Sequence, residues 1–255
     1  MSHDRSTTGS AKHQLGNAGN AKHQLGNEKD KDAELVLGAP SGGAPGGAPR
    51  EGWYSRGYLP HRDESHLIQS LTFRLADSLP QEKLRELEYE LEAIPVQEQE
   101  KHRYIRIEAW LDAGMGCCAL KHPELAEVME YGFLLNDGIR YNLLAWCVMP
   151  NHVHILIEPL VALETITKSW KSYSGRWAMA HNLALGLGIS GKSLWQREVW
   201  DRYIRNEQHF RNITEYIHNN PVKAGLCKKP EDWRWSSAWE GRQINCKEGE
   251  RYVTR

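Results

Sequence analysis

Trp146-Cys147-Val148-Met149-Pro150-Asn151-His152-Val153-His154-Ile155-Leu156-Ile157-Glu158-Pro159 is the stretch on which the reading of this chain turns. Residues 153 to 157 are nearly all apolar and rich in β-branched side chains, with Pro150-Asn151 as a turn before them and Pro159 as a stop behind, so the stretch predicts a buried strand. Side chains alternate across a strand. His152, His154 and Leu156 therefore share one face, while Val153, Ile155 and Ile157 line the other. The two imidazoles stand roughly 6.5 Å apart along the strand. A single buried histidine is more often a hydrogen-bonded core residue than a ligand, but two on one strand face favour a divalent metal.

Outward from this strand, Arg140 to Met149 predicts a second strand, joined to the first as a hairpin through Pro150-Asn151. Leu67 to Leu75 alternates like a half-buried strand. Helices are predicted from Pro80-Gln81, with Ser78 as cap and Leu84, Leu87 and Leu91 inward, then over Glu98 to Leu111 and Pro123 to Leu134. Thr165 to Ala184 predicts an amphipathic helix in which Trp170, Tyr173 and Trp177 alternate with Lys168, Lys171 and Arg176, a mixture able to stack bases and hold phosphates, although tryptophans there more often belong to the core. A Gly-rich loop, Gly186 to Gly191, leads to a strand within Leu194 to Ile204. Glu207 to Asn220 predicts a helix that Pro221 should stop. Asp232 to Ser237 packs back as irregular structure.

Residues 1 to 50 read differently. Ala11-Lys12-His13-Gln14-Leu15-Gly16-Asn17 recurs at 21 to 27 and Gly-Gly-Ala-Pro at 42 to 45 and 46 to 49. That composition predicts a disordered tail, followed by a folded domain over 51 to 240 and a charged tail over 241 to 255. The net charge of −1 hides an asymmetry: residues 81 to 130 carry 12 acidic and 6 basic side chains, residues 161 to 255 carry 10 and 16. The first excess reads as solvated helix faces, and the second makes the C-terminal third the candidate for a polyanion. Five unpatterned cysteines, with no signal-like or membrane-length apolar run, predict free thiols and a cytoplasmic protein without membrane attachment. Cys117-Cys118 with His122 is poorly spaced for zinc.

Tyr216 and Asn220, four residues apart, share a helical face with side chains roughly 5 to 6 Å apart. A buried tyrosine there is commonly structural. Beside a His-x-His strand, a phenol and a metal-capable amide suit phosphodiester chemistry, in which a divalent ion polarises the phosphate and the hydroxyl attacks phosphorus.

Pro150-Asn151-His152-Val153-His154 resembles the His-hydrophobic-His signature of the HUH endonucleases, and Tyr216-Ile217-His218-Asn219-Asn220-Pro221-Val222-Lys223-Ala224-Gly225-Leu226 resembles the nucleophile helix of their single-tyrosine transposases. The similarity is to the REP-associated tyrosine transposases. It extends through Gly57-Tyr58-Leu59-Pro60-His61, Thr72-Phe73-Arg74-Leu75-Ala76-Asp77-Ser78-Leu79-Pro80, Leu143 to Met149 and Asp232 to Ser237, covering about residues 52 to 238 and leaving the tail outside.

The resemblance implies an α/β (α+β) ferredoxin-like, RRM-like fold: an antiparallel sheet flanked by helices, with the metal ligands on a central strand. It implies metal binding by His152, His154 and Asn220, a nucleophile at Tyr216, and Mg²⁺ or Mn²⁺ as cofactor. The implied activity is cleavage and rejoining of single-stranded DNA at REP-type hairpins through a 5′-phosphotyrosine, by a monomer at the nucleoid, with Arg56, Lys168, Lys171, Arg202 and Lys223 as candidate DNA contacts. The alternatives are a hairpin-binding protein that has lost its chemistry, a hydrolase that uses metal-activated water, and an RNA-binding RRM-like module.

Overall fold

The computed structural model describes residues 53–55, 60–62, 67–241, 244–247 and 250–253. The proposed tail over residues 1 to 50 and Arg56 lie outside them. Its centre is a four-stranded antiparallel sheet in the order β4-β5-β3-β6, from β3 (Gln69–Arg74), β4 (Tyr141–Val148), β5 (His152–Pro159) and β6 (Trp200–Tyr203). Among the described residues five helices accompany it: α1 (Gln81–Glu92), α2 (Val96–Asp112), α3 (Pro123–Leu134), α4 (Leu163–Leu185) and α5 (Glu207–Lys223). Numbered as the strands occur within this sheet, its order is 2-3-1-4, the ferredoxin-like arrangement that the resemblance implied. Two outlying hairpins pair β1 (Trp53–Ser55) with β2 (Pro60–Arg62), and β7 (Ile244–Lys247) with β8 (Glu250–Val253).

Strand alternation decides which helix covers which face. Leu71, Phe73, Val153, Ile155 and Ile157 form one apolar face, packed with Leu125, Met129 and Phe133 of α3 and Ile166 and Trp170 of α4. Leu156, Ala145, Cys147 and Met149 face the opposite way, against Ile213 and Ile217 of α5 and Tyr104 of α2. Burying each such aliphatic side chain contributes roughly 1.5–3 kcal/mol, so each helix is held mainly by its apolar stripe. On β4 the register slips between Leu143 and Ala145. The extra residue reverses the phase of the strand. Tyr141 thus shares a core with Trp146 and Val148 despite their mismatched parity.

Four expectations need correction. Ser78 does not cap α1, whose N-cap residue is Pro80 and which has no side-chain cap, and the Ser78 hydroxyl instead donates to Leu75 O at 2.8 Å. Within residues 194–204 only Trp200–Tyr203 is strand, because Leu75 meets Trp195 in an isolated bridge before the chain bows outward. Pro221 does not stop α5. The helix runs to Lys223 because Ile213, Tyr216, Ile217, Asn220 and Pro221 are all buried, which outweighs the missing N–H, and Gly225, at φ 70°, ends it. Finally, the acidic residues of α2 and α3 are not all solvated, since Glu108 and Glu130 are buried.

The segment after α5 returns to the free edge of β4, as expected. Val148 N donates to Trp235 O and Ser237 N to Trp146 O, while Trp233 Nε1 donates to Val148 O. Among the described residues no helix is long and apolar enough to cross a membrane. Among the described residues, the three apolar clusters draw on residues 68–235. A chain beginning at Glu51 is therefore expected to keep a single cooperative thermal transition within a few degrees of that of the full chain, as calorimetry would check; loss of that transition would mean that residues 1 to 50 pack on the domain.

Candidate active site

The histidine strand is β5, the second strand from one edge of the sheet, and α2 and α5 roof its polar side. His152 and His154 are buried, with their Nε2 atoms 3.0 Å apart. Each Nδ1 has its own partner. His152 Nδ1 lies 2.8 Å from Asn151 Oδ1, and the Asn151 amide is itself fixed because its Nδ2 donates to Leu111 O and Met115 O. Asn151 can only accept at Oδ1, so His152 carries its proton on Nδ1 and presents a lone pair at Nε2. His154 Nδ1 lies 2.8 Å from Thr72 Oγ1 on β3, whose hydroxyl can accept when His154 is likewise protonated at Nδ1. A second partner that orients the ring is the usual companion of a metal-ligating histidine.

Burial pushes the His152 imidazole down to about 3, and that of His154 well below its ordinary value, with His152 adding to the effect. Both rings are thus neutral, the form that binds metal. Two nitrogens about 2.1 Å from one ion and at right angles would lie about 3 Å apart, which matches their separation. Asn220 could supply an oxygen: it is buried on α5, beside His152, and among the described residues its Oδ1 has no hydrogen-bond partner. An orphaned buried acceptor beside two convergent imidazoles fits a cation.

Tyr216 stands one helical turn before Asn220, its ring against His154 with centroids 5.3 Å apart. Its hydroxyl donates to Glu108 Oε2 at 2.5 Å and lies 3.1 Å from the Tyr104 hydroxyl. Glu108 is enclosed. Burial, and then the neighbouring Asp112, push its carboxyl up to about 8, and burial raises the Tyr216 phenol well above its ordinary range. Glu108 Oε2 is also 3.8 Å from His154 Nε2, so Glu108, His152 and His154 form a cluster able to hold a metal ion.

Sequence reasoning missed Glu108 and Tyr104. Their signal was present: Tyr104 and Glu108 are four residues apart on a helix, the same spacing that singled out Tyr216 and Asn220. It was absorbed into an acidic run that was read as solvent-facing.

The basic candidates disperse. Lys223 Nζ lies over the Tyr216 ring, 5.0 Å from its centroid. Arg202 pairs with Glu100 at 2.6 Å. Lys168 is exposed and lines a groove of about 840 Å³ with Tyr173 and Arg176, on the α3–α4 side of the sheet and across it from the histidines. Lys171 is committed to the fold, because its ammonium donates to the carbonyls of Gln196, Arg197 and Glu198 at 2.7–3.1 Å. Lys171→Met is expected to lower stability by roughly 1–3 kcal/mol in denaturant unfolding, the cost of leaving such carbonyls unpaired, and to leave DNA affinity unchanged. A selective loss of affinity at full stability would return Lys171 to the list of contacts.

Comparison with known proteins follows the same residues. A family model described as "Transposase IS200 like" matches residues 125–220, a span that contains both histidines and Tyr216 and ends on Asn220. A REP-associated tyrosine transposase of Escherichia coli is 28% identical over 123 residues, covering 43% of this chain and 69% of that protein. A Haemophilus influenzae protein of the same family name is 27% identical over 108 residues, covering 38% of this chain and 58% of its own length. A solved structure of a REP-associated tyrosine transposase bound to a REP hairpin superposes with a TM-score of 0.41 at 18% identity, over 71% of this chain and 81% of the other. Over residues 125–220 the chain is thus similar to the IS200-like transposases, and both of these relatives carry the name REP-associated tyrosine transposase.

Proposed function

We propose that this protein cleaves and rejoins single-stranded DNA at REP-type hairpins through a covalent 5′-phosphotyrosine on Tyr216, with Mg²⁺ or Mn²⁺ held by His152, His154 and Asn220. The observation that carries the reading is the hydroxyl of Tyr216, bonded at 2.5 Å to a buried carboxylate while its ring lies against the histidine pair. A phenol is a weak nucleophile at neutral pH and needs a base at hydrogen-bond distance, which Glu108 supplies in its ionised form, the form that predominates above the value of about 8 to which burial raises it.

In the forward step the Tyr216 oxygen forms a bond to phosphorus, its proton passes to Glu108, the bond from phosphorus to the 3′ oxygen breaks, and that oxygen takes a proton from water to leave as a 3′ hydroxyl. In rejoining, a 3′ hydroxyl gives its proton to water as it attacks the phosphotyrosine, the bond from phosphorus to the Tyr216 oxygen breaks, and Tyr216 recovers its proton from Glu108. A divalent ion in the His152–His154–Asn220 cradle would withdraw charge from the non-bridging oxygens of the phosphate. Asn151 and Thr72 hold the two imidazoles in the metal-binding tautomer, and α5 positions Tyr216 and Asn220 as one rigid unit.

The test is incubation with labelled hairpin oligonucleotides and Mn²⁺, with a denaturation-resistant protein–DNA adduct as the expected product. Cleavage without an adduct would instead indicate activated water. Glu108→Gln separates the two uses of that carboxylate. It is expected to slow adduct formation by about 10²–10⁴-fold, the scale of a lost general base, while the rise in melting temperature on adding Mn²⁺ persists. Asn220→Ala is expected to diminish that rise. The opposite pattern would make Glu108 the third ligand and remove Asn220 from the cradle.

A further inference from the structure

We propose that Arg74 forms an anion site beside the histidine pair and holds a backbone phosphate of the bound DNA within one nucleotide of the bond that is cut. The inference deepens the proposed function and rests on it only for the identity of the strand. Arg74 is the last residue of β3 and pairs in register with His152, as Thr72 pairs with His154. Thr72 reaches the ring of His154, which fixes the face on which it stands. Two residues on, Arg74 leaves the strand on that same face. In register, His154 thus has Thr72 beside it on β3, and His152 has Arg74.

The guanidinium is braced but not neutralised. Its Nη1 donates to Ser78 Oγ at 3.1 Å, and the Ser78 hydroxyl, fully buried, is oriented by donating in turn to Leu75 O. Among the described residues no carboxylate forms an ion pair with Arg74. Asp77, close by in sequence, accepts from the backbone N–H and thiol of Cys117 instead. Burial depresses the guanidinium to about 10, with no carboxylate acting against it. The nearby Lys171 ammonium, itself lowered by burial, repels Arg74 and raises the cost of keeping the guanidinium without an anion.

A desolvated cation without a counter-ion is costly to keep, and anion binding is what recovers the cost. Among the described residues one of the five guanidinium N–H groups has a side-chain partner, which leaves an edge for the two oxygens of a phosphate. Arg74 is only partly buried, so a strand can reach it.

The test uses the full chain carrying Tyr216→Phe, so that no strand is cut, and a hairpin oligonucleotide with a single-stranded 5′ extension. Each phosphate of the extension is replaced in turn by a neutral methylphosphonate. Arg74→Gln is expected to weaken binding of the unmodified oligonucleotide roughly tenfold or more, and to reduce the slope of log affinity against log salt by about one. At one methylphosphonate position the penalty should vanish, because the charge that Arg74 meets is already gone. An equal penalty at every position, or none at any, overturns the proposal.

If Arg74→Gln loses its cooperative thermal transition, Arg74→Lys carries the test. The methylphosphonate effect at that one position should then be smaller than with arginine, and an unchanged effect at all positions overturns the proposal. The two readings fail separately. Position-specific coupling in a protein whose wild-type form makes no adduct removes Tyr216 as nucleophile and keeps Arg74 as a phosphate site, whereas adduct formation without coupling does the reverse.

Discussion

Tyr216→Phe is expected to abolish the covalent adduct, lowering strand cleavage by on the order of 10⁴-fold or more, the scale on which loss of a nucleophile is felt, while hairpin affinity is preserved. The substitution removes one oxygen from a ring that keeps its packing against His154 and leaves α5 intact. Tyr203→Phe is the control. Tyr203 lies in β6 and pairs across the sheet with Gln69, on a strand that ends there. It has no amide one helical turn away, and its loss should leave the adduct in place. Mass-spectrometric mapping of the linked nucleotide to the Tyr203 peptide would overturn the assignment and, with it, the reason for placing Asn220 in the cradle.

His152→Ala and His154→Ala are each expected to lower cleavage by at least about 10²-fold, as when a principal electrostatic stabiliser is lost. A second readout separates metal loss from general damage. Mn²⁺ at one hundred times its dissociation constant should stabilise the wild-type chain by about 2.7 kcal/mol, a shift of about 5–10 °C for a domain of this size, and either substitution should erase the shift. Asn151→Ala should act more weakly and in the same direction, since it removes only the acceptor that fixes the His152 tautomer. Retention of the full Mn²⁺ shift in both histidine variants would place the ion elsewhere.

Strand alternation and helical spacing are local properties, and they made much of this arrangement readable. The shared face of His152 and His154 follows from period two, and the pairing of Tyr216 with Asn220 from the helical repeat; the structure sets Tyr216 against His154 and Asn220 beside His152. What escaped depends on contacts distant in sequence. Glu108 lies 108 residues before Tyr216, and nothing within α2 distinguishes its carboxylate from the solvated ones until α5 closes over it. Lys171 looked like a phosphate contact because its neighbours are aromatic and basic, yet the bow of residues 196–198 takes its donors. Pro221 was misjudged because a local steric rule yielded to the burial of a whole helical face. The outward step at Leu144 has no counterpart in composition, and shows itself only in the mismatched parity of Tyr141 and Trp146.

The enclosure of the Tyr216 hydroxyl also bears on which acceptor a phosphoryl group carried there would meet. Tyr216 is 8% exposed, and its oxygen is bracketed by Tyr104 and Glu108 beneath the two roofing helices. Bulk water would have little passage to such an ester, whereas a 3′ terminus held by its own paired hairpin would be delivered at high local concentration. The fate of the proposed intermediate would then be a competition decided by access rather than intrinsic reactivity. A chamber of this kind turns a nuclease into a courier, conserving the energy of the broken linkage until the next DNA end arrives.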